Sequence, residues 1–73
     1  MMFAQLILPL NIKGTYTYKV PVFLYGKLAI GMRVVVPFGG KKLYTGIVTE
    51  IHDREPEAFL PKEIISALDN EAI

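Results

Sequence analysis

A chain of 73 residues with 52% hydrophobic residues, no cysteine, one histidine and a net charge of +1 is one small domain at most. Lacking cysteine, it has no disulfide and no thiolate metal site, and a lone His52 cannot build a zinc site, so that residue reads as a satisfied or solvated strand-end histidine. No run approaches the roughly 18 apolar residues of a membrane span, and MMFAQLILPL has neither the basic n-region nor the small-residue cleavage site of a secretory signal.

The absence of cysteine is consistent with a reducing cytoplasm. Chains this short bury only roughly 60% of their unfolded surface. Such an apolar composition means either a dense β core or a face covered by something outside these residues. Charge is unevenly spread. Met1 to Thr49 carries Lys13, Lys19, Lys27, Arg33, Lys41 and Lys42 and no acid, whereas Glu50 to Ile73 holds all seven acids against Arg54 and Lys62. A basic body with an acidic tail suits an anionic partner, or is a solvated charged rim.

In chain order, Phe3 to Leu8 alternates and predicts a first strand, closed by Pro9. Asn11-Ile12-Lys13-Gly14 is a turn with Gly14 at the positive-φ position. Thr15 to Val20 is dense in β-branched and aromatic residues and predicts a second strand, ended by Pro21. Pro21 and Gly26 argue against a long helix over Val22 to Ile30, leaving a loop with one helical turn at most.

Gly31 to Ile51 predicts a β-hairpin. Val34, Val35 and Val36 fit a pleated, buried surface, and Pro37 is expected to end the ladder by removing a donor. Phe38-Gly39-Gly40-Lys41-Lys42 connects to a return strand, Leu43 to Ile51. Gly46 marks a bulge or a close approach. Beyond it, Ile47, Thr49 and Ile51 are expected on one face and Val48 and Glu50 on the other. His52 to Pro61 reads as a surface loop, Glu63 to Leu68 as a short last strand, and Asp69 to Ile73 as a linker. The fold class expected is a mainly β domain: a small, partly open barrel of the OB or SH3-like kind, with about five short strands and little helix, spanning residues 1–73.

No catalytic constellation is legible. Triads and thiol chemistry lack their parts, and no G-x-x-x-x-G-K-[ST] motif occurs. An enzyme reading of these residues alone is not supported.

Four pieces, in order, match a known pattern: a strand ending Leu8-Pro9-Leu10; Thr15-Tyr16-Thr17-Tyr18; Gly31-Met32-Arg33-Val34-Val35-Val36-Pro37-Phe38-Gly39 followed by Gly46-Ile47-Val48; and Leu60-Pro61-Lys62-Glu63-Ile64-Ile65-Ser66-Ala67-Leu68-Asp69. Together they resemble the N-terminal domain of the primosomal protein N′ (PriA) family of bacterial replication-restart helicases, from Phe3 to Ala72. The resemblance implies a DNA-binding domain that captures the 3′ end of the nascent leading strand at a stalled fork. It holds the terminal nucleotide in a shallow pocket, largely regardless of the base. The implied pocket residues are Tyr16, Thr17, Gly39 and Lys62, with Lys41 and Lys42 at the hairpin tip as further candidates. At Thr17 the family has an aspartate that hydrogen-bonds the base. A carboxylate is acceptor-only and makes stronger, charge-assisted bonds, whereas a threonine hydroxyl is neutral. Thr17→Asp is therefore expected to tighten end binding, unless the added charge repels phosphate.

The residue chemistry is compatible, with plainer alternatives. Tyr16 can stack on any base or be a core or rim tyrosine. Gly39 can let a backbone N–H reach phosphate or be a turn glycine. Lys62 can pair with phosphate or with Glu63. Lys41 and Lys42 can contact DNA or form a solvated tip. The resemblance implies no cofactor for this segment, with ATP, magnesium and zinc belonging to a longer parent, an ATP-dependent 3′-5′ DNA helicase. Implied partners are single-stranded DNA, the rest of the helicase chain and other primosome proteins, in the bacterial cytoplasm and without a membrane. The alternative reading is a docking domain whose apolar face packs on its parent, a partner or a second copy.

Overall fold

The computed structural model describes residues 1–10 and 14–69. The elements run β1 (Met2–Ile7), β2 (Tyr16–Val20), a 3-10 turn at Val22–Leu24, β3 (Arg33–Phe38), β4 (Lys42–His52) and β5 (Ser66–Ala67). The strands form one antiparallel sheet in the order β2-β1-β4-β3-β5. At 11 residues β4 is the longest, because it serves two partners: its first half pairs with β3 and its second with β1. The core lies inside the resulting curl. Ala4 and Leu6 of β1, Tyr18 and Val20 of β2, Val34 and Val36 of β3, and Val48 of β4 all point into it. Leu24 from the 3-10 turn and Ile64 fill its ends. Phe3 is buried outside this cluster, stacked on His52 at 6.1 Å.

The sheet is not closed by a strand ladder. Instead, residues 62–68 strap its two edges together. On the β2 side, Lys19 N–H donates to the Lys62 carbonyl (2.8 Å) and Ile64 N–H donates to the Lys19 carbonyl (3.1 Å). On the β3 side, Ile65 N–H donates to the Val35 carbonyl (2.8 Å) and Leu68 N–H to the Arg33 carbonyl (2.8 Å). This is the partly open, five-stranded β domain expected from the sequence. The strand expected over Glu63 to Leu68 shrinks to Ser66–Ala67 plus a parallel bridge between Lys19 and Glu63. Its peptide groups are divided between two edges, so it cannot follow either one for long.

Three local expectations need correcting. Pro37 does not end the ladder: Pro37 pairs with Leu43 and Phe38 with Lys42. Along β3 the carbonyls of Arg33 and Val35 point away from β4, toward the strap. Pro37 continues that phase, so the N–H it lacks would have faced outward and β4 loses nothing. The bulge falls at Thr49 rather than Gly46, since Gln5 faces Glu50 and Leu6 faces Val48. The extra residue breaks the expected alternation. Val48 is buried, Ile47 is exposed, and Ile51, past the bulge, packs on the core. Gly46 meets the other alternative, a close approach: a Cβ there would lie 2.7 Å from Leu8 Cδ2 and 3.2 Å from the Ile7 carbonyl oxygen. Asp69 is not loose linker. Arg33 N–H donates to its Oδ2 (2.9 Å) and the Arg33 guanidinium to its Oδ1 (2.8 Å). Gly14 has the expected positive φ of 108°. The remaining turn residues 11–13 and linker residues 70–73 lie outside the described residues.

Two stability measurements follow. Gly46→Val is expected to lower unfolding free energy by about 1–3 kcal/mol, the usual range for overpacking. Gly46→Ala should cost less, because the Leu8 side chain can swing aside. Urea midpoints compare the two, and equal midpoints for Val, Ala and Gly would refute the close approach. The second concerns acid. The Arg33 side-chain and backbone hydrogen bonds hold the Asp69 carboxyl below the usual aspartate value. A depressed folded pKa contributes stability above the unfolded value, and that contribution is lost as pH falls through the folded one. Asp69→Asn should therefore melt lower than wild type at pH 7, and the gap should narrow as pH drops below about 4. Melting curves across pH check this, with a constant gap as the contrary result.

Candidate nucleic-acid interface

The strap closes one end of the gap between β2 and β3 and leaves the other open. Toward the start of β2 and the end of β3 no strand fills the space, and a cleft of about 390 Å³ remains. Three chain segments line it: Thr15 to Tyr18 on β2, Pro37 to Gly39 at the end of β3, and Phe59 to Lys62 leading into the strap. Of the sequence-predicted residues, Tyr16, Thr17, Gly39 and Lys62 are brought together here although they are dispersed along the chain. Lys41 and Lys42 do not line the cleft. They are exposed at the neighbouring hairpin tip, with Lys42 opening β4 opposite Phe38.

The apolar side of the cleft is built by strand alternation. Tyr16 and Tyr18 share the inward face of β2. The Tyr16 ring meets Phe38 edge-on at 5.3 Å, and Phe38 meets Tyr44 in the same manner at 5.9 Å. Such edge-to-face packing holds the rings in fixed orientations. The Tyr16 hydroxyl is buried without a hydrogen-bond partner among the described residues. Tyr16 is thus both a partial core residue and a wall of the cleft, which joins the two roles its sequence position allowed. The Tyr18 hydroxyl crosses from β2 to β3 and donates to the Pro37 carbonyl at 2.7 Å. Burial, with Tyr16 adding a smaller effect, raises the Tyr18 hydroxyl above the ordinary phenol value, so it stays a donor.

Thr17 lines the cleft, but its hydroxyl is engaged elsewhere. It donates to Gln5 Oε1 at 2.5 Å on the outer face of the sheet. Gln5 is the centre of a small network: its Nε2 donates to Thr15 Oγ1 (2.9 Å), and its Oε1 lies 3.1 Å from His52 Nε2. Arg54 N–H donates to His52 Nδ1 at 3.1 Å, so Nδ1 is an acceptor and Nε2 carries the proton toward Gln5. His52 is a satisfied strand-end residue, half-buried at the last position of β4.

Gly39 has φ of 65° and is followed by Gly40 at 87°, so the hairpin turns through two left-handed residues. Lys62 is exposed, with its carbonyl pinned by Lys19. The ion pairs among the described residues are Arg33 with Asp69 and Arg54 with Glu50, and Lys62 is in neither. Sequence reading missed Phe59 and Leu60. They reach the cleft from the loop while staying 51% and 89% exposed, a high exposure for apolar side chains. Their signal was an apolar pair set before Pro61 in an otherwise polar loop.

The sequence compares with known proteins as follows. A family model described as the 3′ DNA-binding domain (3′BD) of PriA matches residues 5–73. The chain is 41% identical over 56 residues to the replication restart protein PriA of Bacillus subtilis (strain 168). That alignment covers 73% of this chain and 7% of the relative, so the chain spans a small part of that protein's length. With the family pattern running through nearly every described residue, this chain belongs to the 3′ DNA-binding domain family of PriA.

Proposed function

We propose that the domain binds the 3′ end of single-stranded DNA in the cleft between β2 and β3, as the end-sensing module of a replication-restart helicase working on the nascent leading strand at stalled forks. The observation that carries the reading is the convergence of Tyr16, Thr17, Gly39 and Lys62 on one cleft in a chain of the 3′ DNA-binding family. The aromatic side offers a stacking surface indifferent to base identity. The unpaired Lys62 at the rim is a point charge for a phosphate. Lys41 and Lys42 extend the basic rim along the hairpin tip, where a strand leaving the cleft passes. Gly39 keeps that passage low, because it carries no side chain at the turn. A helicase activity, with its ATP, magnesium and zinc, belongs to the remainder of a longer protein.

A second reading, which can hold alongside the first, rests on the outer face of β1 and β4. Ile7 and Ile47 sit directly opposite each other there, 50% and 45% exposed, and Leu43 on the same face of β4 is also exposed. This face docks on other segments of the parent chain. Ile47→Lys should abolish binding of the domain to the remainder of the parent in a titration while leaving oligonucleotide binding intact. Unchanged docking would overturn this second reading.

DNA binding is tested by fluorescence anisotropy with short single strands bearing a free or a phosphorylated 3′ end. The free end should bind more tightly. If roughly two or three phosphates are contacted, log K falls against log salt with a slope of about −0.7 for each. Lys62→Ala should make that slope shallower by about one such step. Tyr16→Leu, which keeps apolar volume in the core, should cost about 1–3 kcal/mol of binding through lost stacking. Equal affinity for free and blocked ends would refute end capture.

A further inference from the structure

Both the N–H and the carbonyl of Lys19 leave β2 on the side opposite β1, because both are bonded to the strap at Lys62 and Ile64. In an antiparallel pair, residues two apart point their peptide groups the same way. Thr17, paired with Gln5 as Lys19 is paired with Phe3, therefore directs its own N–H and carbonyl outward from β2. Among the described residues neither group is bonded to the strap, whose contacts with β2 begin at the Lys62 carbonyl. Phe59, Leu60 and Pro61 run up to that point along the cleft without joining the ladder. The bridge between Lys19 and Glu63 is parallel, which fixes the register of any further pairing. One step on, Pro61 faces Thr17, the Thr17 N–H donates to the Leu60 carbonyl, and the Lys62 N–H donates to the Thr17 carbonyl. Pro61 falls on the phase where a proline costs nothing. Its nitrogen faces β3, as that of Ile65 does, and there the Pro37 carbonyl already accepts from the Tyr18 hydroxyl. Proline also favours extended backbone at the residue before it, here Leu60. Alternation sets Leu60 on the face of Ile64, which is buried in the core, and level with Tyr16.

Resting on the end-binding reading above, we propose that the strap zips one step further along β2, and that this closed form shuts the cleft against DNA. Leu60-Pro61-Lys62 is then a reversible plug carried by the domain itself. On closing, Thr17 gains both of its missing backbone partners. Leu60, 89% exposed in the open form, turns onto the ring of Tyr16 and leaves water. It fills the space beside Tyr16 and Phe38 that lines the open cleft. A single strand and the plug therefore exclude each other. The affinity of the domain for DNA is set by its open fraction as well as by the contacts made once open. Closing needs no partner and no new segment. It adds one step to a ladder already present, and it satisfies an edge that would otherwise be open to a foreign strand.

Two variants of the 73-residue chain test this. The chain has no cysteine, so Thr17→Cys with Pro61→Cys allows a single disulfide within it. Residues facing each other on paired strands lie within the Cα separation that a disulfide spans. The pair should oxidise within one chain. A saturating 3′-ended single strand should slow that oxidation about tenfold, and the oxidised protein should bind the strand about tenfold or more weakly than the same protein reduced. Leu60→Ser, at an exposed position, should bind about two- to threefold more tightly than wild type, as for a closed form holding about half to two-thirds of the free protein. Loss of a DNA contact would have the opposite sign. Without DNA, amide exchange at Thr17 and Lys62 should be faster in Leu60→Ser by the same factor of about two to three. No disulfide within the chain, equal DNA binding by the oxidised and reduced pair, or weaker binding by Leu60→Ser would overturn the proposal. So would a disulfide that forms only between two chains, since a second copy would then take the edge. Failure of wild type to prefer a free 3′ end would instead remove the end-binding reading, while closure is still decided by exchange and oxidation, both read without DNA.

Discussion

The strap from Lys62 to Leu68 is the constraint on which the rest depends. The four longer strands, in the order β2-β1-β4-β3, leave two edges of unpaired peptide groups, which water or another chain would otherwise satisfy. Here one short segment satisfies both, with Lys19 on one side and Arg33 and Val35 on the other. Ile64 sits between those contacts and is buried in the core. The strap thus closes the domain at one level without adding a long strand. Arg33 and Asp69 hold its far end by a backbone and a side-chain bond to one carboxylate.

Because the strap is short, the edges stay open beyond it. The same phase of peptide groups that binds Lys62 and Ile64 continues down β2 to Thr17, and the phase that binds Ile65 and Leu68 continues along β3 to Pro37. On β3 a proline removes the donor, and the remaining carbonyl takes the Tyr18 hydroxyl. On β2 both groups persist. The cleft is therefore asymmetric: one wall is capped by a side chain of its neighbour, and the other keeps a donor and an acceptor. Aromatic rings packed edge-on fill the floor between them. Tyr16 and Phe38 line the cleft and also pack against the core, which suits a domain too small to keep a separate layer for each.

The strands and turns were legible in the sequence because they depend on local chemistry. Alternation in Phe3 to Leu8, the β-branched run Val34 to Val36 and the positive φ at Gly14, Gly39 and Gly40 all follow from residue type and spacing. Family resemblance then brought Tyr16, Thr17, Gly39 and Lys62 together before any geometry was known. What residue type could not reveal was phase. Whether Pro37 breaks a ladder depends on which side its nitrogen faces, and whether Ile47 or Ile51 turns inward depends on one extra residue at Thr49. Both are set by pairing with strands distant in sequence.

The amino-acid sequence by itself determined a small cysteine-free β domain, its turn positions and its family, and it named four of the residues that line the cleft, Tyr16, Thr17, Gly39 and Lys62. The tertiary structure alone decided how those residues are used. It turned the Thr17 hydroxyl onto Gln5, left Lys41 and Lys42 outside the cleft, and brought Phe59 and Leu60 to its rim. The reason is that side-chain chemistry is written at each position, whereas the direction of a peptide group or a hydroxyl is fixed by cross-strand partners. For Thr17 the partner is Gln5, twelve residues away along the chain and opposite it on β1.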